Sequence, residues 1–153
     1  MKKLFFLLVI VSAFLTGCAT KVSQLDSKAG EAATAYYGKV DDMMADLRLL
    51  LATGPATPVK IEEGPAKGYF IPATGFFTPF TYKIMLVPVK GLTDDGKEVD
   101  ARAVEIDVTR SDGGGTGMMA NITYNNIKKA FDTKYPVVRV KQPGPAVKYS
   151  FPG

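Results

Sequence analysis

Histidine and tryptophan are missing from all 153 residues, and cysteine occurs once, at Cys18. The missing histidine excludes Ser-His-Asp and Cys-His nucleophilic catalysis, histidine-ligated zinc and imidazole-based pH switching. A single thiol excludes any intramolecular disulfide. The missing tryptophan weakens a sugar-stacking reading. Any catalysis is left to carboxylates, a Ser-Lys pair, tyrosine or a bound ion. Charge is also scarce in one sense: 19 basic residues stand against 15 acidic ones, too near balance for the global field that marks a nucleic-acid binder.

The lone cysteine follows an apolar run. Met1, the basic pair Lys2 and Lys3, an apolar stretch from Leu4 to Leu15 and small residues up to Cys18 have the order of an export signal. The stretch falls well short of the ~20 residues a spanning helix needs. Leu15-Thr16-Gly17-Cys18 resembles the lipobox of bacterial lipoproteins. That resemblance covers the first 20 residues and implies thioether lipidation of Cys18, cleavage before it and acylation of the new amino terminus, in part as palmitate. One buried chain holds only weakly, at about 0.8 kcal/mol per CH₂, whereas several chains on one residue hold firmly. In that family Asp after the cysteine favours inner-membrane retention. Ala19 and Thr20 stand here instead, which resembles cargo sent to the outer membrane, anchored by lipid and facing the periplasm. Without Lys2 and Lys3 the mature chain carries 17 basic against 15 acidic residues.

These observations divide the chain into a signal peptide at 1–17, a lipidated tether at 18–24 and one globular domain at 25–153, including an N-terminal helix. Apolar residues at Val22, Leu25, Ala29, Ala32, Tyr36, Val40, Met43, Leu47 and Leu50 recur at three- and four-residue steps. With Ser23 and Asp26 spaced like a capping box and Thr53-Gly54-Pro55 as a stop, the pattern predicts one helix over 23–52, about 45 Å long. Gly30 and Gly38 weaken it by about 1 kcal/mol each.

From Thr57 onward the pattern turns to strands. "TPVKIE" and "KGYFI" are short candidates. "FTYKIMLVPVK" at 80–90 reads as a strand covered on both faces, and "EVDARAVEIDVTR" at 98–110 alternates. Asp95-Gly96 between them signals a hairpin. The apolar parity of the second strand changes near Ala103, which predicts a bulge there. A second helix is predicted over 123–134, then strands in "PVVRVK" and "AVKYSF". The expected fold is α+β: a long N-terminal helix packed on a mostly antiparallel sheet, with one further short helix. The alternative is a β-sandwich with a helical stalk.

Four stretches are candidate sites. "SDGGGTG" at 111–117 offers backbone N–H groups to an anion, but no Gly-Lys-Ser/Thr follows, and the predicted helix does not begin at the loop. Asp94, Asp95, Glu98 and Asp100 do not follow the calcium-loop pattern and, with Asp112, are the only dense carboxylates for a glycosidase pair. Phe76 and Phe77 are adjacent in a turn-rich segment and cannot both face one core from an extended backbone, which leaves one for a contact surface. Arg139 and Lys141 lie in a basic stretch, 128–148, whose only acid is Asp132.

The expectation is a non-catalytic, lipid-anchored protein of the cell envelope. It binds another envelope protein or an anionic envelope component through Phe76, Phe77, Arg139 and Lys141, with no cofactor, metal or nucleic acid. A carboxylate-dependent glycan hydrolase and a self-associating structural stalk are the alternatives.

Overall fold

The computed structural model describes residues 19–26, 31–74 and 79–141. The chain order is β1 (Ala19–Ser23), β2 (Thr34–Tyr37), α1 (Val40–Leu51), β3 (Val59–Glu63), β4 (Ala66–Ile71), β5 (Phe80–Leu92), β6 (Glu98–Arg110), α2 (Gly117–Asp132) and β7 (Val137–Val140). The spine is the β5–β6 hairpin, thirteen residues on each side, closed by a turn in which Gly96 takes a positive φ of 80°. Two strands flank its Phe80/Arg110 half: β1 pairs with β6 and β4 with β5, and β3 extends the sheet beyond β4. At the other half β2 pairs with β6, β7 with β5, and β2 with β7. Four strands thus form a ring, but among the described residues β1 and β3 remain open edges and the sheet is not a barrel. Every pairing among the described residues is antiparallel.

The expected long N-terminal helix is not present, and neither is a helical stalk. Ser23 closes β1, Thr34–Tyr37 is β2, and among the described residues of the predicted span only Val40–Leu51 is helical. The physical reason is visible at Ala35 and Tyr36. Both are fully buried, but Ala35 belongs to a cluster with Val99, Ala101, Ala103 and Val138, and Tyr36 to the main core. Neighbouring side chains that enter opposite cores require an extended backbone. The Ser23/Asp26 contact does form, with the Ser23 N–H donating to Asp26 Oδ2 at 3.2 Å, but it shapes a turn after a strand. Residues 19–23, expected as tether, are already part of the sheet.

The surviving helix keeps the predicted stop. Gly54 N–H donates to Leu51 O at 3.2 Å, and Thr53 Oγ1 donates to Leu50 O at 3.0 Å. Asp41 and Asp42 sit in the first turn, where the helix dipole favours negative charge. Met43 and Leu47 are fully buried, and burial of each such side chain contributes about 1.5–3 kcal/mol. The second helix starts six residues earlier than predicted, at Gly117, because Ala120 packs fully buried into the same core as Ile127 and Phe131.

The predicted bulge near Ala103 is also absent. β5 and β6 pair without interruption from Phe80↔Arg110 to Leu92↔Glu98. What changes is the cover. Val104, Ile106 and Val108 pack into the main core with residues of α1 and α2, whereas Val99, Ala101 and Ala103 pack with residues of β2 and β7. The small side chains at 101 and 103 and Gly91 make room for that second layer. A Cβ on Gly91 would stand 2.4 Å from Val138 Cγ2.

One edge of β6 passes from β1 to β2, and Gln24 bridges the gap. Its backbone N–H donates to Val104 O at 2.9 Å, and its side-chain carbonyl accepts the Val104 N–H at 3.1 Å. Its amide nitrogen then donates to Thr34 Oγ1 at the start of β2, at 3.2 Å. The side chain replaces one rung of the ladder.

Candidate functional site

The two ends of the sheet differ in their side chains. At one, Ala19 pairs with Thr109, Thr81 pairs with Thr109 from the other side, and Phe80 opens β5 opposite Arg110. Thr20 and Thr116 share a hydroxyl–hydroxyl hydrogen bond of 2.5 Å, which fixes the head of α2 beside β1. The Arg110 guanidinium donates to Asp112 Oδ2 at 2.7 Å and lies 5.2 Å over the Phe80 ring. An apolar cavity of 270 Å³ opens between Ile71, Phe80, Tyr82 and Met119. Met118, in the first turn of α2, is 74% exposed. Cys18, the predicted lipid site, lies outside the described residues, one position before Ala19. Phe76 and Phe77 also lie outside them, between Thr74 and Pro79.

The glycine-rich loop belongs to this end. Contrary to the sequence reading, α2 begins directly at it. Its glycines nevertheless have a use that involves no anion. Gly113 adopts a positive φ of 75°, and a Cβ on Gly114 would stand 2.4 Å from Arg110 Nη1, so the loop closes over an arginine side chain. Asp112 Oδ1 accepts the Gly114 N–H at 3.1 Å, and the Arg110 hydrogen bond holds the Asp112 carboxyl below its ordinary range.

Arg139 and Lys141 occupy the opposite end. Arg139 is exposed on β7, between Thr34 and Leu92. Lys141 Nζ contacts Glu98 Oε2 at 2.5 Å, and this hydrogen bond lowers the Glu98 carboxyl. The basic stretch is therefore not bare. Lys128 meets Asp132 and Lys134 meets Asp46, each at 2.5 Å. Asp46 and Glu98 come from distant parts of the chain and were invisible as counter-charges in the sequence.

The carboxylates do not converge. Asp94 and Asp95 sit in the hairpin turn, and Asp100 is paired with Lys90 at 2.7 Å. Asp112 lies at the other end of β6. Among the described residues no group of three or more carboxylate or cysteine side chains is placed to hold a metal ion. No helix among them is long and apolar enough to cross a membrane.

The fold also assembles two Asp-Tyr-Lys groups from residues far apart in the sequence. Tyr36 Oη donates to Asp132 Oδ1 at 2.7 Å, and Tyr135 donates to Asp46, which also binds Lys134. Phe131 lies between the two tyrosine rings, with centroids 5.3 and 5.1 Å away in edge-on packing. Burial, and then the neighbouring carboxylate, pushes both phenols far above their ordinary range. They stay protonated as hydrogen-bond donors that fasten α1 and β2 to the end of α2. Pairwise spacing in the sequence carries no signal for them.

No protein-family model, curated protein or solved structure matches the chain.

Proposed function

We propose that this is a lipid-anchored protein of the cell envelope that acts without catalysis, holding a folded domain at a membrane and presenting it to another envelope protein or envelope component. The observation that carries this reading is that Ala19, the residue after the lipobox cysteine, already lies in a strand of the sheet. An anchor at Cys18 joins a structural strand with no spacer. Its lipid would therefore position the domain as well as retain it. Ala19 and Thr20 after the cysteine favour the outer membrane, facing the periplasm.

The rival readings lose support. A glycan hydrolase needs two carboxyl groups across one cleft, and the dense carboxylates here are divided between the two ends of β6. A self-associating stalk needs the 22–50 stripe as one helix, which it is not. The exposed Arg139 remains the better candidate for partner contact, while Lys141 is engaged by Glu98.

The test has two parts. Metabolic labelling with an alkyne fatty acid should mark the protein and place it in the membrane fraction, and Cys18→Ser should abolish both. Photo-crosslinking in cells from position 139, and from position 77, should then give one recurrent protein adduct. Unlabelled protein in the soluble fraction overturns the anchored reading. Anchored protein with no adduct at either position overturns the binding reading.

A further inference from the structure

The absence of a spacer after Cys18 has a geometric consequence. Consecutive Cα atoms are about 3.8 Å apart, so a lipid on Cys18 holds Ala19 at the level of the headgroups. Ala19 is paired to Thr109, and the neighbouring Thr20 is bonded to Thr116 at the head of α2. The first turn of α2 must therefore come down with it. That turn carries Met118, 74% exposed, and one turn on is Ile122, 46% exposed. Residues four apart share one face of a helix, so the two form an apolar strip beside the anchor. The nearby charges, Arg110 and Asp112, neutralise each other.

Resting on the lipid-anchored reading above, we propose that this end of the sheet, with Met118 and Ile122, is seated in the interfacial layer of the bilayer that holds the Cys18 lipid. The β5–β6 turn and Arg139 then face away from it. The register sets the scale. Ten residues of β6 separate Thr109, the partner of Ala19, from Val99 beside Gly91 and Val140, a path of about 33 Å at 3.3 Å per residue. With β6 rising from that layer, this seating carries Arg139 beyond the headgroups of the anchoring membrane. It meets whatever lies across from that membrane.

The experiment uses the full-length protein, processed in cells and reconstituted in phosphatidylethanolamine–phosphatidylglycerol vesicles. Because Cys18 is the only cysteine and is blocked by lipid, Met118→Cys, Ile122→Cys, Leu49→Cys and Asp95→Cys each provide one reactive thiol for an environment-sensitive fluorophore. Leu49 is 70% exposed on α1 and controls for apolar exposure alone. The expected result is a several-fold rise in emission on vesicle binding at 118 and 122, with quenching by brominated lipid, and little change at 49 or 95. Protein that floats with the vesicles but shows 118 and 122 as aqueous as 95 overturns the seating and leaves the anchor intact. Protein that carries no lipid and does not float overturns the anchored reading, and the seating falls with it.

Discussion

The side-chain carbonyl of Gln24 accepts the N–H of Val104 at 3.1 Å, although the two residues are eighty positions apart. It satisfies a buried backbone donor at the point where β6 has lost β1 and not yet met β2. Gln24→Ala leaves that N–H unpaired, and such a loss costs about 1–3 kcal/mol. Urea unfolding should show a lower midpoint with an unchanged slope. Stability equal to the original chain would show that water takes over the bond.

Gly91 permits the second layer to close. Gly91→Ala brings a Cβ to 2.4 Å from Val138 Cγ2 and 3.3 Å from Ala101 Cβ. Overpacking of this kind costs about 1–3 kcal/mol. Val138→Ala in the same chain should return part of that loss, and a double-mutant cycle of unfolding free energies measures the coupling. Strictly additive effects would place the clash elsewhere.

Asp46 gives a pH signature. Hydrogen bonds from Lys134 and then Tyr135 lower its carboxyl pKa. A depressed folded pKa stabilises the protein above the unfolded value of about 3.9 and stops doing so as pH falls through the folded value. Asp46→Asn should therefore be less stable at pH 7 by about 1.5–2 kcal/mol, the lower part of the range for hydrogen bonds to charged groups. The gap to the original chain should shrink as the pH drops below 4. A gap of constant size from pH 7 to pH 3 would mean that the charge of Asp46 does not matter.

The separated carboxylates make a prediction about chemistry. Asp94→Asn, Asp95→Asn, Asp100→Asn and Asp112→Asn, made one at a time, should each restore the phenotype of a deletion strain as the original gene does. Exposed surface changes of this sort usually shift stability by less than about 0.5 kcal/mol. Loss of function from one of them, with normal protein levels, would revive the hydrolase reading.

Much of the sheet was legible in advance because its signals are local. "TPVKIE", "KGYFI", "FTYKIMLVPVK" and "EVDARAVEIDVTR" fall on β3 to β6 with ends one or two residues off except in the last, and the Asp95-Gly96 turn joins the last two. The region 22–37 reads as helix in the sequence because a three-four spacing of small apolar residues fits a helix as well as it fits two short strands. Only Ala101 and Ala103 opposite Ala35, and Phe131 against Tyr36, decide between them.

Taken alone, the sequence determined the place of the lone cysteine, the run of alternating strands and the exclusion of histidine chemistry, because these depend on residue type and on neighbours in the chain. The tertiary structure decided which face of β6 is covered at each level, and which acid meets Lys134 or Lys141 across 88 and 43 residues. It also decided that the cysteine's neighbour, Ala19, is a strand residue paired with Thr109. Those outcomes depend on contacts between segments far apart in the chain, and periodicity within a segment carries no record of what will cover it.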